Sequence, residues 1–197
     1  MYKRQLDDIK GLKMRIPGVG GEVLKRAGGI PVTLPGGELF TALQTGVIDA
    51  TEWVGPYNDL TFGFHQIAKY YYYPGWHEPG SMLELLINKD EWDQLPNHLK
   101  AIIETAAKAV NQDILDEYTA KNNSALRELV DTHNVELRKL PDDVINEFKL
   151  IANQILEENA QKDEMVNKVY QSYKSFKKDV SEYHKVSEDA FVEARNN

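Results

Sequence analysis

The sequence predicts an α/β fold: a lobe of βαβ units over residues 1–88, followed by a mainly helical region of long C-terminal helices over residues 89–197. Three observations predict it. Short extended runs alternate with short helical runs up to about residue 53, each joined by a few turn residues. All thirteen glycines lie between Gly11 and Gly80, so tight turns and close backbone approaches belong to the first part and uninterrupted helix to the second. Charge divides in the same place. Residues 1–88 carry eight Lys and Arg against nine Asp and Glu, a net −1, whereas residues 89–197 carry fifteen against twenty-two, a net −7.

Each element has a local reason. Asp7 to Gly11 forms a turn ahead of a strand at residues 12–16 (LKMRI), which Pro17-Gly18 ends. The GVGG loop delivers a brief helix at 22–27, stopped by Gly28-Gly29. A second strand at 30–34 (IPVTL) is turned by Pro35-Gly36-Gly37 into a helix at 38–45, whose acidic start suits the helix dipole. Gly46 stops that helix, and residues 47–53 run extended. The pattern is that of a parallel sheet. Gly55-Pro56 opens a helix at 56–66, with proline acceptable in its first turn. Residues 70–73 and 82–88 (MLELLIN) read as two more strands flanking the turn PGWHEPG.

Beyond Lys89 a short helix at 91–95 precedes Pro96. From Asn97 to about His133, apolar or small residues at Leu99, Ile102, Ile103, Ala106, Ala107, Val110, Ile114, Leu115 and Tyr118 recur at offsets of three and four, one face of a long helix. Residues 135–140 (VELRKL) alternate as a strand. Pro141-Asp142-Asp143 opens helix 142–183, with a break expected near 159–163, and an acidic terminal helix follows at 187–195.

Composition excludes several classes of function. No apolar run approaches the roughly 18 residues of a membrane span. The opening MYKRQLDDIKGLKMR has no apolar signal region, so an exported protein would carry its signal outside this chain. The absence of cysteine excludes disulfides and thiolate catalysis. A net charge of −8 argues against nucleic acid as a partner, because phosphate neutralisation needs clustered Lys and Arg.

The chemistry concentrates in residues 51–80, which hold nine of the nineteen aromatics together with Glu52, Asn58, His77 and Glu78. A core needs apolar residues in a regular period, not Trp76, His77 and Glu78 side by side in a turn, so this run reads as the rim and floor of a binding site. In a parallel sheet, ligands sit beyond the carboxyl ends of the strands. Arg15 lies near the end of the first strand and Glu52-Trp53 near the end of the third. Arg15 either grips a carboxylate through two parallel hydrogen bonds or closes a surface salt bridge. Glu52 and Glu78 either flank a hard cation or are simply solvated. His77 fits a general base, a ligand or a hydrogen-bonded turn residue. The amides of the GVGG loop fit either an anion site or a plain turn. Val169, Tyr170, Tyr173 and Phe176 share helical spacing that suits a dimerisation helix.

The stretches KGLKMRIPGVGGEVL, PVTLPGGELFTALQTGVIDATEWVGPYND and YYYYPGWHEPG resemble the substrate-binding subunit of TRAP transporters, a periplasmic solute-binding protein. Its branch for 2-oxo acids and related mono- or dicarboxylates is the most similar. The resemblance implies the second lobe of a two-lobed fold like that of periplasmic binding proteins, with the N-terminal lobe absent. It implies that Arg15 pairs with the ligand carboxylate and that Glu52, Trp53 and Glu78 surround that carboxylate and a bound sodium or calcium ion. Asn58, Tyr73 and Trp76 would complete this lobe's side of the pocket, and His77, from its place in the same turn, is counted with them as a substrate-binding candidate. The implied role is extracytoplasmic capture of a small organic acid and its delivery to a membrane permease, with no organic cofactor and with a homodimer or higher assembly expected. Two other functions stand beside it: an enzyme acting on a carbonyl acid through His77 and Glu78, and an oligomeric fragment that binds nothing.

Overall fold

The structure, a computed structural model, describes residues 5–78, 80 and 83–196. The chain forms two compact units, one ending at Ile145 and the other starting at Asn146.

The first unit is organised on a three-stranded parallel sheet. Strand β1 (Lys13–Arg15) is central, with β2 (Ile30–Val32) on one side and β3 (Ala50–Thr51) on the other. Arg15 pairs with Val32 and with Thr51, so all three strands end level with it. Helices α1 (Gly18–Arg26) and α2 (Leu39–Gln44) make the crossovers, as the βαβ pattern predicts. Helix α1 starts four residues earlier than expected because Gly20 and Gly21 let it lie directly on the strand before it. A β-carbon at Gly21 would stand 2.6 Å from the Ile16 carbonyl oxygen. The buried side chains Val23 and Leu24 of α1 join Ile9, Leu12 and Ile16 in the core. On the α2 side, Leu39, Ala42, Ile48 and Phe64 form a buried cluster against which Val32, Leu34 and Trp53 pack.

Helix α3 (Pro56–Thr61) is shorter than the sequence suggests. Gly63, at φ +74°, turns the backbone into a region that favours glycine, and a 3-10 turn (Phe64–Gln66) follows. Strand β4 (Tyr70–Tyr73) pairs in parallel with β5 (Glu136–Lys139). The expected strand at 82–88 does not form. Met82 lies outside the described residues, and residues 83–88 have no regular structure. Leu83, Leu85, Leu86 and Ile87 are exposed. An apolar run becomes a strand only against a partner that takes its backbone hydrogen bonds, and among the described residues this run has none.

Asn88 then caps α4 (Lys89–Gln94) by accepting hydrogen bonds from the Asp90 and Glu91 amides. Helix α5 (Asn97–Asp131) runs as its periodicity predicts, but the face marked by that periodicity is mostly open. Leu99, Ile102, Val110, Ile114 and Leu115 are exposed, and burial is reached only near the far end, at Ala125 and Leu129. There α5 meets α3, with the Tyr57 and Tyr118 rings edge to face at 5.9 Å.

The second unit comprises most of α6 (Asp142–Lys162), α7 (Glu164–Val186) and α8 (Glu188–Asn196). The expected break falls at Asp163, whose side chain accepts from the Val166 amide at 2.9 Å and starts α7. Glu157 of α6 binds α7 twice, accepting from Tyr170 at 3.2 Å and Lys174 at 2.8 Å. No described helix is long and apolar enough to cross a membrane.

Candidate functional site

The parallel sheet places Arg15 at the carboxyl end of its central strand and Glu52 one residue past the end of β3. The two side chains form an ion pair, Arg15 Nη1 to Glu52 Oε1. Arg15 is also held from behind, its Nε donating to the Leu34 carbonyl at 3.2 Å. The Trp53 ring flanks the guanidinium, its centroid 5.4 Å from Cζ, close enough for a cation–π contact. The second oxygen of Glu52 lies 3.3 Å from His77 Nε2. One glutamate thus bridges an arginine and a histidine. Arg15, Glu52 and His77 have side chains only 14%, 11% and 16% exposed, so these polar groups are turned toward one another rather than bulk water.

Tight packing fixes these directions. His77 lies over the start of α1, where a β-carbon at Gly20 would come within 3.4 Å of its Cβ. Trp76 meets the His77 ring edge-on, with centroids 5.4 Å apart. Trp53 is seated between Phe62, at 5.2 Å, and Gly36. A β-carbon at Gly36 would stand 2.5 Å from Trp53 Cη2. Among the described residues Trp53 Nε1 and His77 Nδ1 are buried without a hydrogen-bond partner, which is uncommon for buried polar groups.

Of the residues singled out from the sequence, the fold brings together Arg15, Glu52, Trp53, Trp76 and His77. Asn58 sits on α3 with its Oδ1 buried and without a hydrogen-bond partner. Tyr73, at the end of β4, is 44% exposed. Glu78 is exposed in the turn after β4. No described hydrogen bond, ion pair or ring contact joins these three to the Arg15 cluster. The GVGG loop serves packing as the first turn of α1.

The structure adds a pair that sequence reasoning missed. Tyr71 of β4 donates to Asp59 Oδ2 of α3 at 2.5 Å, and Asp59 is 7% exposed. Burial raises the Asp59 carboxyl to about 6, against the lowering effect of the Tyr71 hydrogen bond, and the nearby Glu52 charge adds to the rise. Burial likewise raises the Tyr71 phenol, and the Asp59 charge reinforces it. An acid two residues before a helix ends and a phenol on a later strand share no sequence spacing that marks them as partners. Gly36 was also missed; the only signal for it is the paired glycine before α2.

Comparison with known proteins fits this arrangement. Residues 3–163 match the family described as bacterial extracellular solute-binding protein, family 7. A monocarboxylate 2-oxoacid-binding periplasmic protein of Nostoc sp. is 42% identical over 185 residues, covering 94% of this chain and 50% of that protein. The chain therefore spans about half the length of this curated relative. A TRAP periplasmic solute-binding protein of Pseudoalteromonas atlantica, solved with bound sodium and pyruvate, is 39% identical with a TM-score of 0.92. That match covers 98% of this chain and 59% of the other. A TRAP transporter solute-binding protein of Bordetella bronchiseptica is 33% identical with a TM-score of 0.91, covering 98% of this chain and 58% of its own. It was solved as a mixed-occupancy dimer with calcium and picolinate in one site and the other site apo. These relatives are binding proteins, so the enzyme alternative built on His77 and Glu78 is not supported. The strand-end arginine, its glutamate and the tryptophan beside them thus sit in a chain that belongs to the DctP family, the bacterial extracellular solute-binding proteins of TRAP transporters.

Proposed function

We propose that the protein containing this chain captures a small 2-oxo acid or related carboxylate, together with sodium or calcium, outside the cytoplasm and delivers it to a TRAP membrane permease. The observation that carries the reading is Arg15. It is a permanently charged fork at the end of the central parallel strand, braced by a backbone carbonyl and flanked by an indole. Such a group binds a carboxylate through paired, charge-assisted hydrogen bonds. Trp53, Trp76 and His77 would enclose the small body of the acid, with Asn58 and Tyr73 completing the wall.

The donor set fits a hard cation. Glu52 and Glu78 would supply carboxylate oxygens and Trp53 its backbone carbonyl, the ligand type that sodium and calcium take. The described residues offer no cluster of three His, Cys, Asp or Glu side chains, so further oxygens would come from the acid and from the rest of the protein. A bound cation supplies positive charge that lets two carboxylates lie close together. Two relatives support the reading: the Pseudoalteromonas protein holds pyruvate with sodium, and the Bordetella protein holds picolinate with calcium. The ligand-contacting residues of this half belong to the α/β lobe over residues 1–88. Residues 89–197 would serve connection and assembly, with α7 presenting an apolar stripe to a second copy.

Calorimetric titration with pyruvate, with and without sodium or calcium, tests the proposal. Cation-dependent binding that Arg15→Ala abolishes is the expected result. Turnover of the acid, or binding indifferent to Arg15→Ala, would overturn it.

A further inference from the structure

We infer that Glu52 occupies Arg15 in the ligand-free protein as a stand-in for the ligand's carboxylate, and that binding proceeds by carboxylate exchange on Arg15. This rests on the proposed reading of the site and assigns Glu52 a role beyond cation contact. Arg15 is held in place at the strand end, its Nε donating to the Leu34 carbonyl and Trp53 flanking its guanidinium. Its Nη1 faces Glu52 Oε1, while Glu52 Oε2 is taken by His77. Both members of the ion pair are largely removed from water. The Arg15 charge is therefore already met by a carboxylate of the chain itself.

An acid that reaches Arg15 places a second carboxylate beside the first. Like charges in a partly desolvated site disfavour one another, so the acid must displace Glu52 or arrive with a compensating positive charge. Glu52, once released, is a carboxylate without its arginine, and a cation's charge then favours it. Acid and cation are coupled through one side chain, and such coupling is reciprocal: each strengthens binding of the other by the same factor. The exchange thus accounts for a cation requirement without any contact between the cation and Arg15.

Glu52→Gln separates this from a site in which Glu52 merely ligates the cation, and Arg15→Met checks that the pairing withholds Glu52 from it. Glu52→Gln removes the stand-in, so pyruvate should bind this variant without any cation at least tenfold more tightly than it binds the wild-type chain under the same conditions. Arg15→Met releases Glu52, so calcium alone should bind at least tenfold more tightly than it binds the wild-type chain. If Glu52 only holds the cation, Glu52→Gln gains nothing without cation, and that result overturns the exchange while leaving cation-dependent binding by the wild type intact. If the wild-type chain binds no 2-oxo acid under any condition, the proposed function fails for this chain, and the pairing is judged without ligand. Arginine side-chain nitrogen resonances should then show Arg15 Nη groups restrained in the wild type and averaged in Glu52→Gln. Averaged Arg15 signals in the wild type would overturn the inference.

Discussion

Tyr71 donates its phenolic hydrogen to Asp59 Oδ2 across 2.5 Å, joining β4 to α3 through a carboxyl group that is 7% exposed. The pair carries a pH dependence. Burial lifts the Asp59 carboxyl from 3.8 to about 6, so the folded state keeps a proton that the unfolded state releases. Stability therefore falls as pH rises through the window between those values, and the penalty is complete above it. Two pKa units correspond to about 3 kcal/mol. Asp59→Asn retains an acceptor for Tyr71 and cannot ionise. Urea unfolding at pH 4 and pH 7.5 should show the variant gaining on the wild type by about 2–3 kcal/mol at the higher pH. A difference that does not change with pH would mean that the Asp59 carboxyl titrates alike in the folded and unfolded chain.

The seat of Trp53 gives a second prediction. Gly36 has no room for a side chain, because a β-carbon there meets Trp53 Cη2 at 2.5 Å and Cζ2 at 3.0 Å. Phe62, on the other side, limits how far the indole can retreat. Gly36→Ala should destabilise the first unit by about 1–3 kcal/mol, the usual range for overpacking. It should also shift the tryptophan emission and weaken acid binding, because the displaced ring is the one that flanks Arg15. An unchanged unfolding midpoint and an unchanged spectrum together would show that the ring moves freely.

Much of this site was legible in the sequence for a physical reason. Arg15 and Glu52 sit where glycine and proline end short strands, and a parallel sheet puts strand ends on one side, so local turn chemistry was enough to place them together. Asp59 and Tyr71 meet only where the fold brings α3 and β4 within reach of one hydrogen bond, which no local pattern encodes. The long face of α5 shows the converse. Leu99, Ile102 and Val110 have the period of a buried stripe and the helix forms, yet these side chains remain exposed. Periodicity reports where a helix would bury itself, not what is there to cover it. Residues 83–88 fail in the same way, since a strand-like composition cannot supply the neighbouring strand.

The start of α3 depends on a side chain from another helix. Tyr57 is the second residue of α3, and its backbone N–H donates to Asn122 Oδ1 of α5 at 3.0 Å, a capping role that would otherwise fall to a residue just before the helix. Gly55 provides no such group, and a β-carbon there would stand 3.3 Å from the same Asn122 oxygen. Asn122→Ala should cost about 1–2 kcal/mol by leaving that amide unsatisfied. Asn122→Asp keeps an acceptor oxygen and should lie closer to the wild type in urea denaturation. Equal losses in both variants would assign the effect to packing rather than to the hydrogen bond.

Assembly is the last prediction, and it turns on the two faces of α7. One face is tied to α6 through Tyr170 and Lys174, both bonded to Glu157. The other carries Val166, Val169, Tyr173, Phe176 and Tyr183, all exposed, with Val180 between the last two. Their spacing alternates three and four residues, the repeat that seats one helix against another in a coiled coil. A second copy of the same helix supplies the matching stripe, and the dimer of the Bordetella relative shows that assembly occurs among similar proteins. Sedimentation should therefore find the wild-type chain as a dimer at micromolar concentration. Val169→Glu with Tyr173→Glu places charges at the centre of the stripe and should raise the dissociation constant at least a hundredfold, while the helical circular dichroism signal of the chain is retained. A wild-type chain that stays monomeric up to high concentration would leave α7 without this role.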